Sequence, residues 1–204
     1  MIELEIKDYS KAVEALKKVQ INNLFARAVV ENHVSGKVYV DNPDNPTTFY
    51  VVHPYGMSLL SGKHDNQDFN KAFKYHALNK NKTQNAHVWM QAYPEQWNVE
   101  LKTLFSNISI KSSENKTNQT TNIVELNTRV NFKFNHVKYT ELKKKIKTTE
   151  SSVIRTTEKE FKSMRGSVIP SNFWNNANDF LINGIGFSTY SGNELACTTF
   201  TSFI

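Results

Sequence analysis

The spacing of apolar residues in the first half of the chain switches between a helical and a strand-like period. Apolar residues three or four positions apart predict helices at Ser10–Val19, Ile21–Asn32, Asn66–Leu78 and Pro94–Leu104. An alternating pattern predicts strands at Ser35–Val40, Phe49–His53, Met57–Leu60 and His87–Gln91. This order predicts one α+β unit, in which an antiparallel meander is followed by a βαβ-like crossover.

Individual residues refine these boundaries. Ser10 or Asp8 is a suitable N-cap for the first helix, because a side-chain oxygen there accepts a bond from the first helical turn. Leu24 and Phe25 are placed on the apolar face of the second helix. Pro94 suits the first position of the last helix, since that position has no need of an amide proton.

The second part of the chain begins after a polar segment at 111–125, which we interpret as a linker or an exposed loop. Alternation predicts strands at Thr128–Asn135, Gly184–Tyr190 and Glu194–Phe203. Helices are predicted at Thr140–Ile146, Glu158–Met164 and Asn175–Leu181. The sequence therefore predicts an N-terminal domain at 1–110 and a C-terminal domain at 126–204.

The net charge of +6 admits an anionic partner. The densest basic run, Lys143–Lys147, is not interleaved with aromatic residues of the kind on which single-stranded nucleic acids stack. We therefore expect the basic residues to form solvated faces, and we retain nucleic-acid binding only as the third functional hypothesis.

Several classes of protein are disfavoured by composition. No apolar run approaches the roughly 20 residues of a membrane span, and the charged N-terminus lacks the apolar core of a secretory signal. The single Cys197 cannot form an intramolecular disulfide, which fits a reducing cytoplasm, and we expect it in the core rather than as a nucleophile. The six histidines show no metal-ligand spacing, so no metal site is expected.

Two groups of residues carry a family resemblance. The first group is Val34–Asp41, Pro46, Leu60–Gly62 and Phe69. The second is Phe173–Asn176, Asp179–Leu181, Asn183–Phe187 and Glu194–Thr198. Both groups resemble the GNAT family of N-acetyltransferases, in particular a bacterial subfamily built from two GNAT-like halves. The resemblance implies two GNAT-like units with a mixed, mostly antiparallel sheet flanked by helices, the second unit being incomplete.

The resemblance also implies acetyl transfer from acetyl-CoA to an amine of a small molecule or peptide. In this family the fourth strand and the following helix hold acetyl-CoA through a Gln/Arg-x-x-Gly-x-Gly/Ala pattern, whose amides meet the pyrophosphate. At the corresponding place the first half has Gly62, Lys63 and residues able to cap a helix, without the Gly-x-Gly spacing. The alternative is an ordinary capped turn, and no such segment follows Gly192 in the second half.

The same resemblance directs attention to the last hairpin and the helix before it. Glu194 and Tyr190 are the candidate catalytic residues, as a base and a proton donor. Phe173, Trp174 and Asn175 are the candidate substrate-binding residues. The alternatives are that Glu194 is solvated and that the aromatic residues pack against the sheet.

The final predicted strand would expose an apolar edge up to Ile204. Three explanations are open: a shortened chain, a second copy that completes the sheet as a homodimer, or an incorrect strand prediction. The leading functional hypothesis is an N-acetyltransferase. The alternative is a non-catalytic binding or interaction module on the same fold.

Overall fold

A computed structural model describes residues 1–82, 84, 88–111, 124–127, 133–145, 152–166 and 168–202. The chain divides into two compact units, Met1–Asn127 (unit 1) and Thr128–Ser202 (unit 2). The α+β class predicted from the sequence, with a mixed sheet flanked by helices, is confirmed.

Unit 1 is built around a five-stranded sheet in the order β1-β2-β3-β4-β5. Its strands are β1 Ile2–Glu3, β2 Lys37–Val40, β3 Thr48–Val52, β4 Met57–Gly62 and β5 Trp89–Tyr93. Neighbouring strands are antiparallel, except that β5 runs parallel to β4. A parallel neighbour requires a crossover connection, and a helix between β4 and β5 supplies it.

Four helices of unit 1 are α1 Ser10–Lys17, α2 Leu24–Val30, α3 Gln67–Ala77 and α4 Trp97–Leu104. A 3₁₀ turn at Ile6–Asp8 leads into α1. A separate pair of parallel strands follows α4, consisting of β6 Ser109–Lys111 and β7 Val124–Leu126. Of the predicted linker at 111–125, residues 112–123 lie outside the described residues.

The sheet of unit 1 separates two hydrophobic clusters, because alternate strand residues face opposite sides. One cluster joins the sheet to α1 and α2 and includes Leu16, Phe25, Val29, Val38 and Leu59. The other joins it to α3 and α4 and includes Tyr50, Leu60, Phe69, Phe73 and Trp97. Consecutive residues of β4, such as Leu59 and Leu60, thus belong to different clusters, and both faces of the sheet are covered.

Unit 2 contains a three-stranded antiparallel sheet in the order β10-β9-β8. Its elements are α5 His136–Lys145, β8 Ser152–Arg155, α6 Glu158–Ser163, α7 Ala177–Asn183, β9 Gly186–Ser191 and β10 Glu194–Phe200, with a 3₁₀ turn at Pro170–Asn172. Phe161, Phe173, Trp174 and Phe180 are buried in this unit.

The order strand, helix, helix, hairpin occurs in both units. In unit 1 the elements are β1, α1, α2, β2 and β3, and in unit 2 they are β8, α6, α7, β9 and β10. A glycine precedes each hairpin where the chain passes close to the preceding helix. A Cβ on Gly36 would lie 2.6 Å from Val29 of α2, and one on Gly184 would lie 2.8 Å from the Phe180 carbonyl of α7. Only glycine fits such close approaches.

Several local predictions were wrong. The 3₁₀ turn runs directly into α1, so Tyr9 rather than Ser10 or Asp8 occupies the N-cap, without a side-chain bond. Leu24 is exposed, although most other residues of its helix are buried. The helix predicted from Pro94 begins three residues later, at Trp97.

The second half shows similar corrections. Helix α5 begins at His136 rather than Thr140, since the Asn135 side chain accepts a bond from the Lys138 amide. Residues 128–132 of a predicted strand lie outside the described residues, and 133–135 are not in a strand. Cys197 is exposed rather than in the core, because it pairs with Thr189 on the sheet face opposite buried Ser188.

Candidate functional site

The β4–α3 turn, residues 62–66, lies where the crossover leaves the sheet of unit 1. Gly62 has a φ of +92°, which disfavours any residue with a side chain. A Cβ at this position would lie 2.1 Å from the carbonyl oxygen of Thr47. The glycine is therefore required by the packing of two neighbouring strands.

Buried side chains hold the carbonyl groups of this turn. Trp97 Nε1 donates to the carbonyl of Gly62 at 3.1 Å, and Thr48 Oγ1 donates to that of Lys63 at 2.7 Å. Asn70 Nδ2 donates to the next carbonyl, of His64, at 2.7 Å. All three donor residues are fully buried. Three successive peptide groups of the turn are thus bonded to the interior of unit 1.

The beginning of α3 is capped within the chain. Asn66 accepts a bond from the Phe69 amide at 3.1 Å and donates to Asp41 Oδ2 at 3.4 Å. The Asp41 carboxylate also accepts bonds from the amides of Thr47 and Thr48. Burial alone would raise the pKa of Asp41, but its hydrogen bonds with Thr47 and Thr48 outweigh this and lower it. Asp41 is therefore ionised beside the turn at neutral pH.

A second polar group lies in unit 2, around the buried carboxylate of Glu160. This carboxylate accepts bonds from the hydroxyl of Thr157, from the Thr157 amide at 3.0 Å and from Tyr190 Oη at 2.9 Å. These bonds, led by that of the Thr157 hydroxyl, lower the pKa of Glu160 to about 2. The bond to Glu160 in turn raises the pKa of Tyr190, which stays protonated at neutral pH.

The other predicted site residues of unit 2 do not join this group. Phe173 and Trp174 lie in the core, where Trp174 Nε1 donates to the Thr201 carbonyl at 2.8 Å. Asn175 is exposed just before α7 and lies 3.4 Å from the Asp179 carboxylate. Glu194 is exposed at the first position of β10, paired with Ser191.

Sequence reasoning missed Glu160, although a signal for it was present. Thr157-x-x-Glu160 is the spacing of a capping box, in which the two residues satisfy each other's backbone amides at a helix start. The structure contains this box at the beginning of α6. The bond from Tyr190 could not be found in this way, since the two residues are 30 positions apart.

Within the described residues there is no group of three histidine, cysteine or acidic side chains arranged to hold a metal ion. None of the helices in the described part of the chain combines the length and apolar character that a bilayer crossing requires.

The fold defines a class of protein in which a largely antiparallel sheet continues through a helical crossover into a parallel fifth strand. A model of the GNAT acetyltransferase family matches residues 14–204, and the chain belongs to this family. A GCN5-related N-acetyltransferase-like protein from Streptococcus suis has a similar fold. The TM-score is 0.55 at 9% sequence identity, covering 96% of this chain and 71% of that chain. No curated protein sequence matches this one.

Proteins of this family generally use acetyl-CoA, and the β4–α3 turn is where the resemblance would place its pyrophosphate. The residues of unit 1 do not fit that group. Gly62 faces the Thr47 carbonyl, the Phe69 amide is occupied by its cap, and Asp41 carries a negative charge next to Asn66. An anion site needs free amides and positive potential. Here the amides of Lys63 and Phe69 are already bonded, and Asp41 adds a negative charge.

Proposed function

We propose that this chain acts in acetyl transfer from acetyl-CoA to an amine of a small molecule or peptide. The observation that carries the proposal is the family match, which extends over residues 14–204 and so covers most of unit 1 and the described part of unit 2. A single cysteine in the sequence is consistent with action in the cytoplasm.

Within this proposal, Tyr190 and Glu194 are the residues for proton transfer. Tyr190 is supported by its hydroxyl, which stays protonated at neutral pH; to give this proton to a leaving group, the hydroxyl would have to turn away from Glu160, to which it now donates. Glu194 is supported by its exposure at the start of β10. Of the residues proposed to bind substrate, Asn175 presents an exposed side chain, while Phe173 and Trp174 would act by supporting the segment around it.

The second candidate function is a non-catalytic binding module. It is favoured by the β4–α3 turn, three of whose carbonyl groups are bonded to buried side chains. In this case unit 2, which lies within the GNAT-like C-terminal domain that we propose at 126–204, would pair through β10 with a second copy. Strand β10 contains no lysine or proline to oppose such pairing. Sedimentation of the wild type and of Thr199→Lys tests for that homodimer.

Two measurements separate the candidates. Calorimetry with acetyl-CoA detects cofactor binding, and release of free thiol with polyamines and lysine peptides detects transfer. We expect Tyr190→Phe and Glu194→Gln to lower the rate of thiol release, whereas Tyr139→Phe and Glu158→Gln, on exposed parts of unit 2, leave it unchanged. Absence of both heat and thiol release would reject the enzyme and leave the binding module.

A further inference from the structure

We propose that the β4–α3 turn of unit 1 is a structural connection, and that neither acetyl-CoA nor another pyrophosphate ligand binds there. The inference goes beyond the proposed function because it holds whether or not the chain binds acetyl-CoA elsewhere. It rests on three properties of residues 62–66 and their neighbours: the contacts of the glycine, the bonding of the peptide groups and the local charge.

The glycine is explained without a ligand. A cofactor turn needs glycine so that phosphate oxygens can approach the backbone closely. Here the space in front of Gly62 is taken by the Thr47 carbonyl, 2.1 Å from where a Cβ would stand. The amide of the next residue, Lys63, donates to the same carbonyl at 2.9 Å. The first amide after the glycine is therefore already used within the sheet.

The turn is also bonded to three separate elements of unit 1. Thr48 at the start of β3, Asn70 in α3 and Trp97 in α4 each donate to one of its carbonyl groups. Opening the turn to admit a ligand would take the acceptor from the hydroxyl of Thr48 and the indole of Trp97, and one of two acceptors from Asn70. A buried donor that is left unsatisfied costs free energy. Strands β4 and β5 remain paired as far as Ser61 and Tyr93, so the sheet does not open beside the turn either.

The charge around the turn opposes an anion. Four carboxylates belong to the turn, to the first turn of α3 or to their hydrogen-bonding partners, namely Asp41, Asp65, Asp68 and Glu100. The lysine of the turn, Lys63, lies 3.6 Å from Asp65 in an ion pair. A pyrophosphate would thus meet a net negative group at a helix start that Asp68 already complements.

Hydrogen exchange on the full chain tests where a ligand binds. With acetyl-CoA, and separately with inorganic pyrophosphate, at millimolar concentration, we expect exchange at residues 62–68 to change by less than about fivefold. Larger protection of these amides would overturn the proposal. If the wild type releases no heat with either probe, hydrogen exchange still tests the proposal, because unchanged exchange at residues 62–68 supports it.

Matched lysine variants test the same point by affinity. If the chain binds acetyl-CoA, Lys63→Ala and Lys80→Ala, an exposed lysine elsewhere in unit 1, should have equal Kd values within about twofold. A Kd for Lys63→Ala more than about fivefold weaker than that for Lys80→Ala would overturn the proposal.

The structural role has its own test, without ligand. Thr48→Val removes the hydroxyl that bonds the Lys63 carbonyl and should speed exchange in the turn by about fivefold or more. The exposed Thr103→Val should leave it unchanged. Trp97→Phe removes a second bond independently. Unchanged exchange in both Thr48→Val and Trp97→Phe would refute the structural role. If the wild type shows no acetyl transfer but the exchange results are as expected, only the proposed function is rejected.

Discussion

Replacement of Gly62 by alanine isolates the physical reason for glycine at the end of β4. The added methyl group would lie 2.1 Å from the Thr47 carbonyl oxygen, well inside van der Waals contact. Its backbone would also have to keep a φ of +92°, which residues with a Cβ rarely adopt. The neighbouring atom belongs to the backbone, so a side-chain rotation cannot relieve the contact.

Two contributions set the expected magnitude. The conformational cost of a positive φ is about 1–2 kcal/mol. Moving the Thr47 carbonyl away would weaken its bond to the Lys63 amide, which adds about 1 kcal/mol. We therefore expect Gly62→Ala to lower the stability of unit 1 by about 2–3 kcal/mol, a large part of the 5–15 kcal/mol typical of a domain.

Gly192 provides a matched control in the hairpin of unit 2. It also has a positive φ, +59°, but a Cβ there would meet no atom within 4 Å. Gly192→Ala should therefore cost only the conformational contribution, about 1 kcal/mol. The difference between the two variants reports the cost of the Thr47 contact, plus the small difference in conformational cost between a φ of +92° and one of +59°.

Hydrogen exchange under native conditions measures the effect of each substitution separately, in unit 1 for Gly62→Ala and in unit 2 for Gly192→Ala. Exchange in β3 and β4 should become about 100-fold faster in Gly62→Ala, and exchange in β9 and β10 about fivefold faster in Gly192→Ala. Urea unfolding gives a second estimate for each variant. If Gly62→Ala destabilises unit 1 no more than Gly192→Ala destabilises unit 2, the Thr47 contact does not require glycine and the reasoning is refuted.

Three further changes test other contacts. The pKa of Glu160 is lower in the folded chain, about 2, than its ordinary 4.5, so its carboxylate stabilises the fold above pH 4.5 and this contribution is lost as the pH falls towards 2. Glu160→Gln should therefore lower the free energy of unfolding by about 1–2 kcal/mol at neutral pH and flatten the acid limb of a plot of stability against pH. The exposed Glu158→Gln should do neither. Identical plots for the two variants would contradict the bonds assigned to Glu160. Trp97→Phe should cost about 2 kcal/mol in urea unfolding, because it loses volume and the bond to the Gly62 carbonyl. Cys197 should react stoichiometrically with a thiol reagent in the folded protein, and a requirement for denaturant would disprove its exposure.

The sequence alone predicted the elements whose stability is visible in a local pattern. The alternation of β2 follows from Val38 and Val40 facing one cluster while Tyr39 packs against the other. The helical spacing of Phe69 and Phe73 predicted α3, and both are buried. Such periods arise because each element buries one face, so they can be found without knowing what covers that face.

Short strands were missed for the opposite reason. Strand β1 has two residues and β8 has four exposed ones, so neither has a period to detect. Each exists because it pairs with a strand far along the chain, β1 with β2 and β8 with β9. Pairing is a long-range property that a local pattern does not contain.

The candidate site divides in the same way. The sequence identified Gly62, Tyr190 and Glu194 as residues of interest through the family resemblance. Only the tertiary structure decided that Gly62 faces a backbone carbonyl and that Tyr190 bonds Glu160. A residue type limits what a position can do, but its contacts depend on which distant segment the fold brings against it. The sequence therefore determined the family and the main elements, and the tertiary structure determined what those residues do.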